Sequence, residues 1–421
     1  SIRDVVARRA DEVIEWTKAL VRFPSENCPP DGAEAEVQTF IARACREEGL
    51  EVDRFRPDEV GRIQEHPFWL PGRNYPQGRE DVVARWKGQG DGRSLLLSGH
   101  ADVVPLVPDN WRACRPYDPV VKDGRLYGRG SADMKGGLAA QFWALRILHE
   151  LGFRPAGDIL FESVVDEEFA GGNGTLAARL RGHNADLAVI AEPTCMQLGT
   201  ACFGAFLGSL TVSGKAGMPY AGEAIANPIF GAARAVQLFG EFQEVWRAQN
   251  SHPLFARPGK ELNVLPWMID SNRPDEFTQM GTPLQVKIRW IVWCHPGLTE
   301  QEFYPRFGTF WNKHAESDPA LQPFEVKLER EYHFVRPWET PVESPAVQAV
   351  AAALKSCGVK PDICGMQFSC DLALYGEIGN MPAVLLGPRG GNLHAPDEYV
   401  VVEDLLKLTE VYAGLAAEWC R

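Results

Sequence analysis

Five side chains of the types that bind metal ions stand where predicted strands end or a predicted helix begins. Four follow apolar strands and one opens an amphipathic helix near 135–151: His100, Glu168, Glu192, His394 and Asp133. In open α/β sheets, ligands bind outside the carboxyl ends of the strands. Two histidines and three carboxylates at one sheet edge therefore predict a metal site, and the neighbouring carboxylate of Glu167 is available for acid–base chemistry.

The segment His100-Ala101-Asp102 has a spacing that suits a metal-binding histidine and its orienting carboxylate. A neutral imidazole binds metal through one ring nitrogen, while a carboxylate on the other nitrogen fixes its tautomer and orientation. A core histidine paired with an aspartate is the structural alternative for this pair taken by itself.

The dipeptide Glu167-Glu168 follows the apolar strand predicted at 158–165 and precedes a glycine-rich loop. Adjacent residues at a strand end point in different directions, so one acid can bind metal while its neighbour faces a bound water. A metal lowers the pKa of its water towards ~7, and a nearby carboxylate can take the proton and pass it to a leaving nitrogen. Acidic runs are more often solvated turns, but this one directly follows an apolar strand.

Asp133 has a simple alternative as the N-cap of the helix that it precedes. It is followed by Lys135-Gly136-Gly137, and glycines at this point let the backbone approach another element closely. A carboxylate has two oxygens, so Asp133 can also bridge two cations.

The composition excludes several classes of function. The chain has 421 residues, of which 45% are hydrophobic and 24% charged, as in ordinary globular enzymes. A net charge of −13 argues against nucleic acid or an anionic membrane as the main partner. No apolar run approaches the ~20 residues of a membrane-spanning helix. The first 21 residues mix charges with apolar positions, which predicts an amphipathic helix and no signal peptide.

The ten cysteines form no C-x-x-C pair, so zinc-ribbon and thioredoxin-like sites are not indicated. Reduced thiols in a cytoplasmic protein are the expectation. Cys364 and Cys370 flank the segment before Asp371, and the sequence leaves open whether they form a disulfide or line a pocket.

The order of predicted elements indicates two domains of different fold. Helices and strands alternate over 1–198 and again over 333–421, which predicts a mostly parallel, doubly covered sheet in an α/β catalytic domain. Between them, 199–332 has the order βαββαβ of a ferredoxin-like α+β domain. This second domain is therefore expected to be an insertion. A polar, Pro- and Gly-rich stretch at 56–80 is predicted as a long loop of functional or flexible character.

Several motifs together resemble the acetylornithine deacetylase, succinyl-diaminopimelate desuccinylase and aminoacylase family (metallopeptidase family twenty). They are S-G-H-A-D-V-V-P, G-R-G-S-A-D-M-K-G-G, V-V-D-E-E, A-E-P-T and N-L-H-A-P-D-E. The resemblance spans nearly the whole chain and implies that the inserted domain is a lid of the type that mediates dimerisation.

The resemblance also implies a role for each residue of the site. His100, Asp133 and Glu192 correspond to one metal site. Asp133, Glu168 and His394 correspond to the other, with Asp133 as the bridge. Glu167 matches the general acid/base, and Asp102 matches the residue that orients histidine. The expected cofactor is one or two divalent ions, and ligand types do not select among Zn, Mn and Co.

The chain departs from the family pattern at positions expected to bind substrate. Met218 stands where relatives carry a lid histidine that stabilises an oxyanion across a dimer interface, and methionine donates no hydrogen bond. Phe203 replaces a polar residue. Arg389 replaces a common glycine and either grips a substrate carboxylate or is a solvated loop arginine. Asn263, directly before Val264, completes the predicted substrate-binding set.

These observations predict a metal-dependent hydrolase that cleaves a non-peptide C–N bond of a small carboxylate-bearing molecule, as an N-acyl amino-acid deacylase does. The alternative is hydrolytic deamination of an activated aromatic amine such as 5-nitroanthranilate, because the lid departures favour a flat substrate that needs little oxyanion stabilisation. A catalytically inactive binding protein is the remote alternative. We expect a cytoplasmic monomer or homodimer that binds neither nucleic acid nor membranes.

Overall fold

The computed structural model describes residues 1–106, 110–169, 172–215, 222, 225–271 and 282–421. These residues form two compact units. The first unit comprises Ser1–Ala201, Trp338–Cys364 and Cys370–Arg421. The second unit comprises Cys202–Pro337 and Gly365–Ser369. The boundaries lie within a few residues of the expected ones, except that the short 365–369 segment joins the second unit.

The sheet of the first unit has four parallel strands at its centre. In spatial order they are Ile159–Val164, Leu95–His100, Ala188–Ile190 and Ala383–Leu385. Antiparallel strands flank this centre, so the sheet is mixed at its edges. The remaining strands of the sheet are Glu51–Phe55, Asp81–Trp86, Leu198–Cys202, Trp338–Glu339 and Ile363–Met366. The central strands are buried throughout, as expected of a parallel sheet covered on both faces.

Helices cover this sheet where the sequence predicts them, and two short helices, Asn173–Leu180 and Leu372–Glu377, were not predicted. Their bounds are Ile2–Arg8, Ala10–Val21, Ala35–Glu47, Gly136–Glu150, Asn173–Leu180, Pro345–Ser356, Leu372–Glu377 and Val402–Trp419. The single amphipathic helix expected within the first 21 residues is two helices, which meet at Arg9. The expectation that Gly136–Glu150 is amphipathic is wrong, because the helix is buried along nearly its whole length. It packs on the sheet and is covered by Ala10–Val21 and Val402–Trp419.

Two small sheets and short helical turns complete the first unit. Four strands of two or three residues form an antiparallel sheet that the sequence did not predict: Val120–Lys122, Arg125–Tyr127, Gly390–Gly391 and Tyr399–Val401. Asn27–Cys28 pairs with Asp31–Gly32. The stretch 56–80 contains the 3₁₀ turns Pro57–Glu59 and Ile63–Glu65. Such short elements lack a hydrophobic period long enough to detect.

The second unit has the predicted ferredoxin-like fold. Its elements in chain order are Gly204–Ser213, Pro228–Gln249, Val264–Asp270, Gln285–Cys294, Glu300–Ser317 and Glu325–Arg330. The four strands form an antiparallel sheet in the spatial order second, third, first, fourth. Strand Gln285–Cys294 alternates buried and half-buried residues, which matches a sheet with helices on one face.

Two expectations about the whole chain concern membranes and disulfides. Among the described residues, none of the helices combines the length and apolar character needed to cross a membrane. Cys364 and Cys370 are both buried as thiols, so the structure holds no disulfide between them.

The glycines after Lys135 permit the close backbone approach that the sequence predicts. A Cβ atom on Gly137 would lie 2.3 Å from the carbonyl oxygen of Ala191 and 2.6 Å from its Cβ. Helix Gly136–Glu150 therefore sits directly on the chain at the end of strand Ala188–Ile190. This contact brings the helix that follows Asp133 next to the segment that carries Glu192.

We expect Gly137→Ala to destabilise the protein by about 1–3 kcal/mol, because forcing an atom into a well-packed contact shifts the backbone. Gly414→Ala is the matched control. Gly414 also lies in a helix interior, but a Cβ atom added there would meet nothing within 4 Å. Alanine at this position should stabilise by up to about 1 kcal/mol. Urea unfolding followed by circular dichroism measures both, and a Gly137→Ala variant as stable as the wild type would contradict the close contact.

Candidate metal centre and active site

The central strands of the first unit deliver three of the predicted ligands to one edge of the sheet. His100 is the last residue of its strand, Glu168 lies four residues after strand Ile159–Val164, and Glu192 lies two residues after strand Ala188–Ile190. These strands are adjacent and parallel, so their carboxyl ends coincide. Parallel pairing therefore brings together residues that are up to 92 positions apart in the sequence.

Asp133 and His394 reach the same place from outside the sheet. Asp133 lies just before helix Gly136–Glu150, and His394 lies in the turn between strands Gly390–Gly391 and Tyr399–Val401. His394 itself has a left-handed backbone with φ of 59°. Non-glycine residues adopt that conformation rarely, and such conformations concentrate at functional sites.

The carboxylate of Asp133 lies between the two histidines. Its Oδ1 is 3.1 Å from Nε2 of His100, and its Oδ2 is 3.2 Å from Nε2 of His394. Glu168 Oε2 is 3.1 Å from Nε2 of His394, and Glu192 Oε1 is 3.8 Å from Nε2 of His100. Each oxygen of Asp133 thus faces a different histidine with its own additional carboxylate, which is the arrangement that a bridging ligand requires.

The donor set fits one or two divalent cations. There are two groups in which the donor atoms all lie within 4.8 Å of one another. One group contains His100, Glu167 and Glu192, and the other contains His100, Asp133 and Glu168. In each group two carboxylates face one histidine, so negative charge is in excess. Burial together with Asp133 raises the pKa of Glu168 to about 6, whereas Asp133 and Glu168 raise the pKa of His394 to about 11. These pKa shifts show that the carboxylates favour a positive charge beside them. Such a donor set suits a divalent ion, which supplies Lewis acidity to the reaction when bound.

Asp102 organises both His100 and the acidic dipeptide. Nδ1 of His100 lies 2.9 Å from the backbone carbonyl of Asp102 and 3.6 Å from its carboxylate, so the carbonyl is the nearer partner. The carboxylate accepts hydrogen bonds from the backbone N–H groups of Glu167 and Glu168 at 3.2 and 3.0 Å. Burial opposes ionisation, but His100 and the amide of Asn27 hold the pKa of Asp102 at about 2. Asp102 therefore remains an anion that anchors the dipeptide.

Glu167 has the environment of an acid–base group. Its carboxylate is 3.8 Å from Nε2 of His100 and is mostly shielded from solvent. Burial and the charges of Asp371, Glu192 and Glu168 raise its pKa well above the usual range, against the effect of His100. A carboxyl group with a raised pKa can hold a proton and release it during turnover, which is what general acid–base catalysis needs.

Glu398 is a residue of the site to which the sequence assigned no role. Its buried carboxylate accepts hydrogen bonds from the backbone N–H groups of Gly130, Ala132 and Asp133 at 2.9, 3.0 and 3.2 Å. Arg129 donates a further bond at 2.8 Å. Glu398 thereby holds the backbone of the predicted bridging ligand. The one available signal was its place at the end of the N-L-H-A-P-D-E motif.

Asp371 is the second such residue. It is buried, and its Oδ2 accepts a short hydrogen bond from the hydroxyl of Thr175. Its Oδ1 has no hydrogen-bond partner among the described residues. Burial raises the pKa of Asp371 to about 7. Its charge adds to the anionic character around Glu167.

Three of the four predicted substrate-binding residues lie in the described part of the chain, and each contacts other residues of its own unit. The guanidinium of Arg389 donates to both carboxylate oxygens of Asp404, at 2.7 and 2.6 Å, so it is already engaged by a carboxylate of the protein. Phe203 belongs to the second unit, where it is buried and stacks on Phe255 with ring centroids 4.6 Å apart. The amide oxygen of Asn263, in the same unit, accepts a bond from Arg247 at 2.8 Å. Met218 lies outside the described residues, and substrate binding by these four stays a prediction.

Comparison with known proteins identifies similar chains. The sequence profile of Peptidase family M20/M25/M40 matches residues 96–418. The chain is 25% identical to an N-formyl-4-amino-5-aminomethyl-2-methylpyrimidine deformylase of Bacillus subtilis, covering 100% of this chain and 97% of the relative. It is 28% identical to a succinyl-diaminopimelate desuccinylase of Nitrosomonas europaea, covering 79% and 85%. The di-peptidase Dug1p of Saccharomyces cerevisiae has a similar fold, with a TM-score of 0.77, 13% identity and coverage of 100% and 98%.

We expect the two neighbouring acids to respond differently to substitution. Glu167→Gln should retain metal but lose most of its rate, because a general base contributes about 100- to 10,000-fold. Glu168→Ala should bind metal weakly, since it removes the carboxylate 3.1 Å from His394. Metal content and turnover are measured on the same preparations. Metal loss in Glu167→Gln, together with retained metal and slow turnover in Glu168→Ala, would show that the two roles are reversed.

Removing the Glu398 carboxylate should weaken metal binding, because the backbone of Asp133 loses its anchor. We expect Glu398→Gln to lower metal affinity by about 10- to 100-fold, as is typical for residues that orient ligands. Glu403→Gln is the control, since the side chain of Glu403 is 86% exposed. Competition with a chromophoric chelator measures both affinities, and equal affinities would contradict an anchoring role for Glu398.

Proposed function

The chain belongs to Peptidase family M20/M25/M40, and from that premise we propose that it is a metal-dependent hydrolase that cleaves a non-peptide C–N bond of a small molecule. One observation carries the proposal above all others. The two oxygens of Asp133 face two different histidines, at 3.1 and 3.2 Å, with further carboxylates beside each histidine. A structural ion pair would not need two histidines on one buried carboxylate.

In the proposed reaction, different residues bind the metal, transfer the proton and hold the acid–base group in place. The divalent ions would be held by His100, Asp133, Glu192, Glu168 and His394. Glu167 accepts a proton from the attacking water and returns a proton to the leaving nitrogen as the C–N bond breaks. The products are then a carboxylic acid and an amine. Asp102 keeps Glu167 in place through the hydrogen bond from the Glu167 backbone N–H.

The names of the similar proteins favour removal of an acyl group over deamination of an aromatic ring. One relative is a deformylase and another is a desuccinylase, and both names describe removal of an acyl group. We propose a substrate of this general kind, an N-acylated amine that also bears a carboxylate. Arg389 could bind that carboxylate only by sharing or releasing Asp404. Phe203, Met218 and Asn263 remain the other proposed substrate contacts.

We further propose a cytoplasmic monomer or homodimer. A cytoplasmic location agrees with ten cysteines that are all reduced thiols. Met218 occupies the position of the family's lid histidine. We therefore infer that activity does not depend on a partner's side chain.

A substrate panel tests the proposed reaction. It contains N-formyl, N-acetyl and N-succinyl derivatives of amino acids and amines, with 5-nitroanthranilate as the aromatic amine. We expect release of formate, acetate or succinate with wild-type protein loaded with Zn, Mn or Co. Glu167→Gln, assayed beside it, should be slower by about 100-fold or more. Ammonia from 5-nitroanthranilate, with no acid released from any amide, would replace our proposal by aromatic deamination.

A further inference from the structure

The residue immediately before the acidic dipeptide is held by an unusually dense set of buried partners. Asp166 has a left-handed backbone with φ of 68°, which is unfavourable for a residue with a side chain. Its Oδ1 accepts hydrogen bonds from Nε of Arg73 at 2.8 Å and Nη2 of Arg79 at 2.9 Å. Its Oδ2 accepts from the hydroxyl of Tyr75 at 2.6 Å. All of these side chains are buried, so the contacts act without competition from solvent.

Arg73 contacts the chain on both sides of Glu167-Glu168. On one side it bonds to Asp166, and on the other its guanidinium lies 4.7 Å from the ring centroid of Phe169. The side chain of Arg73 therefore contacts the residues on both sides of Glu167-Glu168. A guanidinium is planar with fixed donor directions, so it restrains orientation as well as distance.

A second connection runs from the same network to Asp102. The amide nitrogen of Asn27 is 2.7 Å from Oδ2 of Asp102 and 3.2 Å from Oδ1 of Asp166. Asp102 in turn binds the backbone N–H groups of Glu167 and Glu168. The dipeptide is thus restrained through its backbone by Asp102 and through its flanking residues by Arg73.

The network also explains why the stretch 56–80 is ordered without long helices or strands. The side chain of Asn173, which follows the acidic dipeptide in sequence, bonds to the backbone N–H and carbonyl of Leu70, both at 2.9 Å. Asn173 also donates to the hydroxyl of Tyr75 at 2.8 Å. The stretch is therefore attached to the acidic loop at Leu70, Arg73, Tyr75 and Arg79. All four lie before residue 96, outside the part of the chain that the family profile matches.

From this geometry we infer that Arg73, supported by Tyr75 and Arg79, is a positioning residue that sets the orientation of Glu167 and Glu168. The inference rests on the proposed function for the role of Glu167 and for the role of Glu168 as a metal ligand, and metal titration tests the second role without any hydrolysis assay. Arg73 does not touch the reacting atoms. It acts by holding Asp166 and Phe169 so that neighbouring acids point to the proton and to the metal.

The test uses the full chain titrated with Co²⁺, whose visible absorption reports ligand geometry without any substrate. Arg73→Lys keeps the positive charge but loses the planar guanidinium, which donates hydrogen bonds in fixed directions. We therefore expect it to weaken Co²⁺ binding by about 10- to 100-fold. Its visible spectrum should differ from that of the wild type at saturation. In assays with any hydrolysed substrate, kcat should fall by a similar factor while KM changes little, because misplacing a catalytic group affects the chemical step.

Two further variants keep the test decisive. Tyr75→Phe removes one hydroxyl from Asp166 and should fold even if Arg73→Lys does not; it should change Co²⁺ affinity in the same direction by a smaller factor. Arg54→Met is the control, since Arg54 pairs with Glu80 at 2.7 Å and makes no contact with Asp166. Its Co²⁺ affinity and spectrum should match the wild type.

The outcomes separate this inference from the proposed function. If Arg73→Lys and Tyr75→Phe melt at lower temperature but keep the wild-type Co²⁺ affinity and spectrum, the network only stabilises the fold and the inference is wrong. If the wild type hydrolyses nothing on the substrate panel, the proposed function fails, while the Co²⁺ titrations still decide whether Arg73 positions Glu168.

Discussion

The concentration of buried carboxylates at one edge of the central sheet is the constraint on which the rest of the structure depends. Asp133, Glu167, Glu168, Glu192 and Asp371 influence one another's ionisation, and burial makes each charge costly unless it is compensated. The parallel strands end at the same level and bring Glu167, Glu168 and Glu192 together. Asp133 and Asp371 join them from the starts of helices Gly136–Glu150 and Leu372–Glu377. The other groups of the site either compensate this negative charge or leave it available for binding cations.

Six buried acids at and around the site fall into two groups according to how their charges are compensated. Asp102 and Glu398 accept hydrogen bonds from backbone N–H groups, and Asp166 is bound by two buried arginines and a tyrosine. These acids are satisfied by the protein and hold its backbone in place. Asp133, Glu168 and Glu192 instead face histidine nitrogens, which leaves them for cations. Buried charges that are fully paired position other groups, whereas incompletely paired ones are available for binding.

The part of the protein that would recognise the substrate is less defined by these contacts than the part that would perform the chemistry. Arg389 is engaged by Asp404, and Phe203 is buried within its own unit. Metal ligands must meet strict distances, so their geometry is built into strand ends and buried hydrogen bonds. Residues that distinguish one acyl group from another have no such requirement and can vary while the fold and the ligand set remain.

The sequence by itself determined the parts of this protein that depend on local pattern. Apolar strands ending in His100, Glu168 and Glu192 predicted the sheet edge, and the βαββαβ order predicted the ferredoxin-like unit, because side-chain periodicity and strand ends are visible along the chain. Only the tertiary structure decided which acids hold the backbone. Asp166, Glu398 and Asp371 look like any other acid in the sequence, and their partners Arg73, Arg129 and Thr175 are distant along the chain. Whether a buried charge is satisfied depends on three-dimensional neighbours, and hydrophobic periodicity carries no information about them.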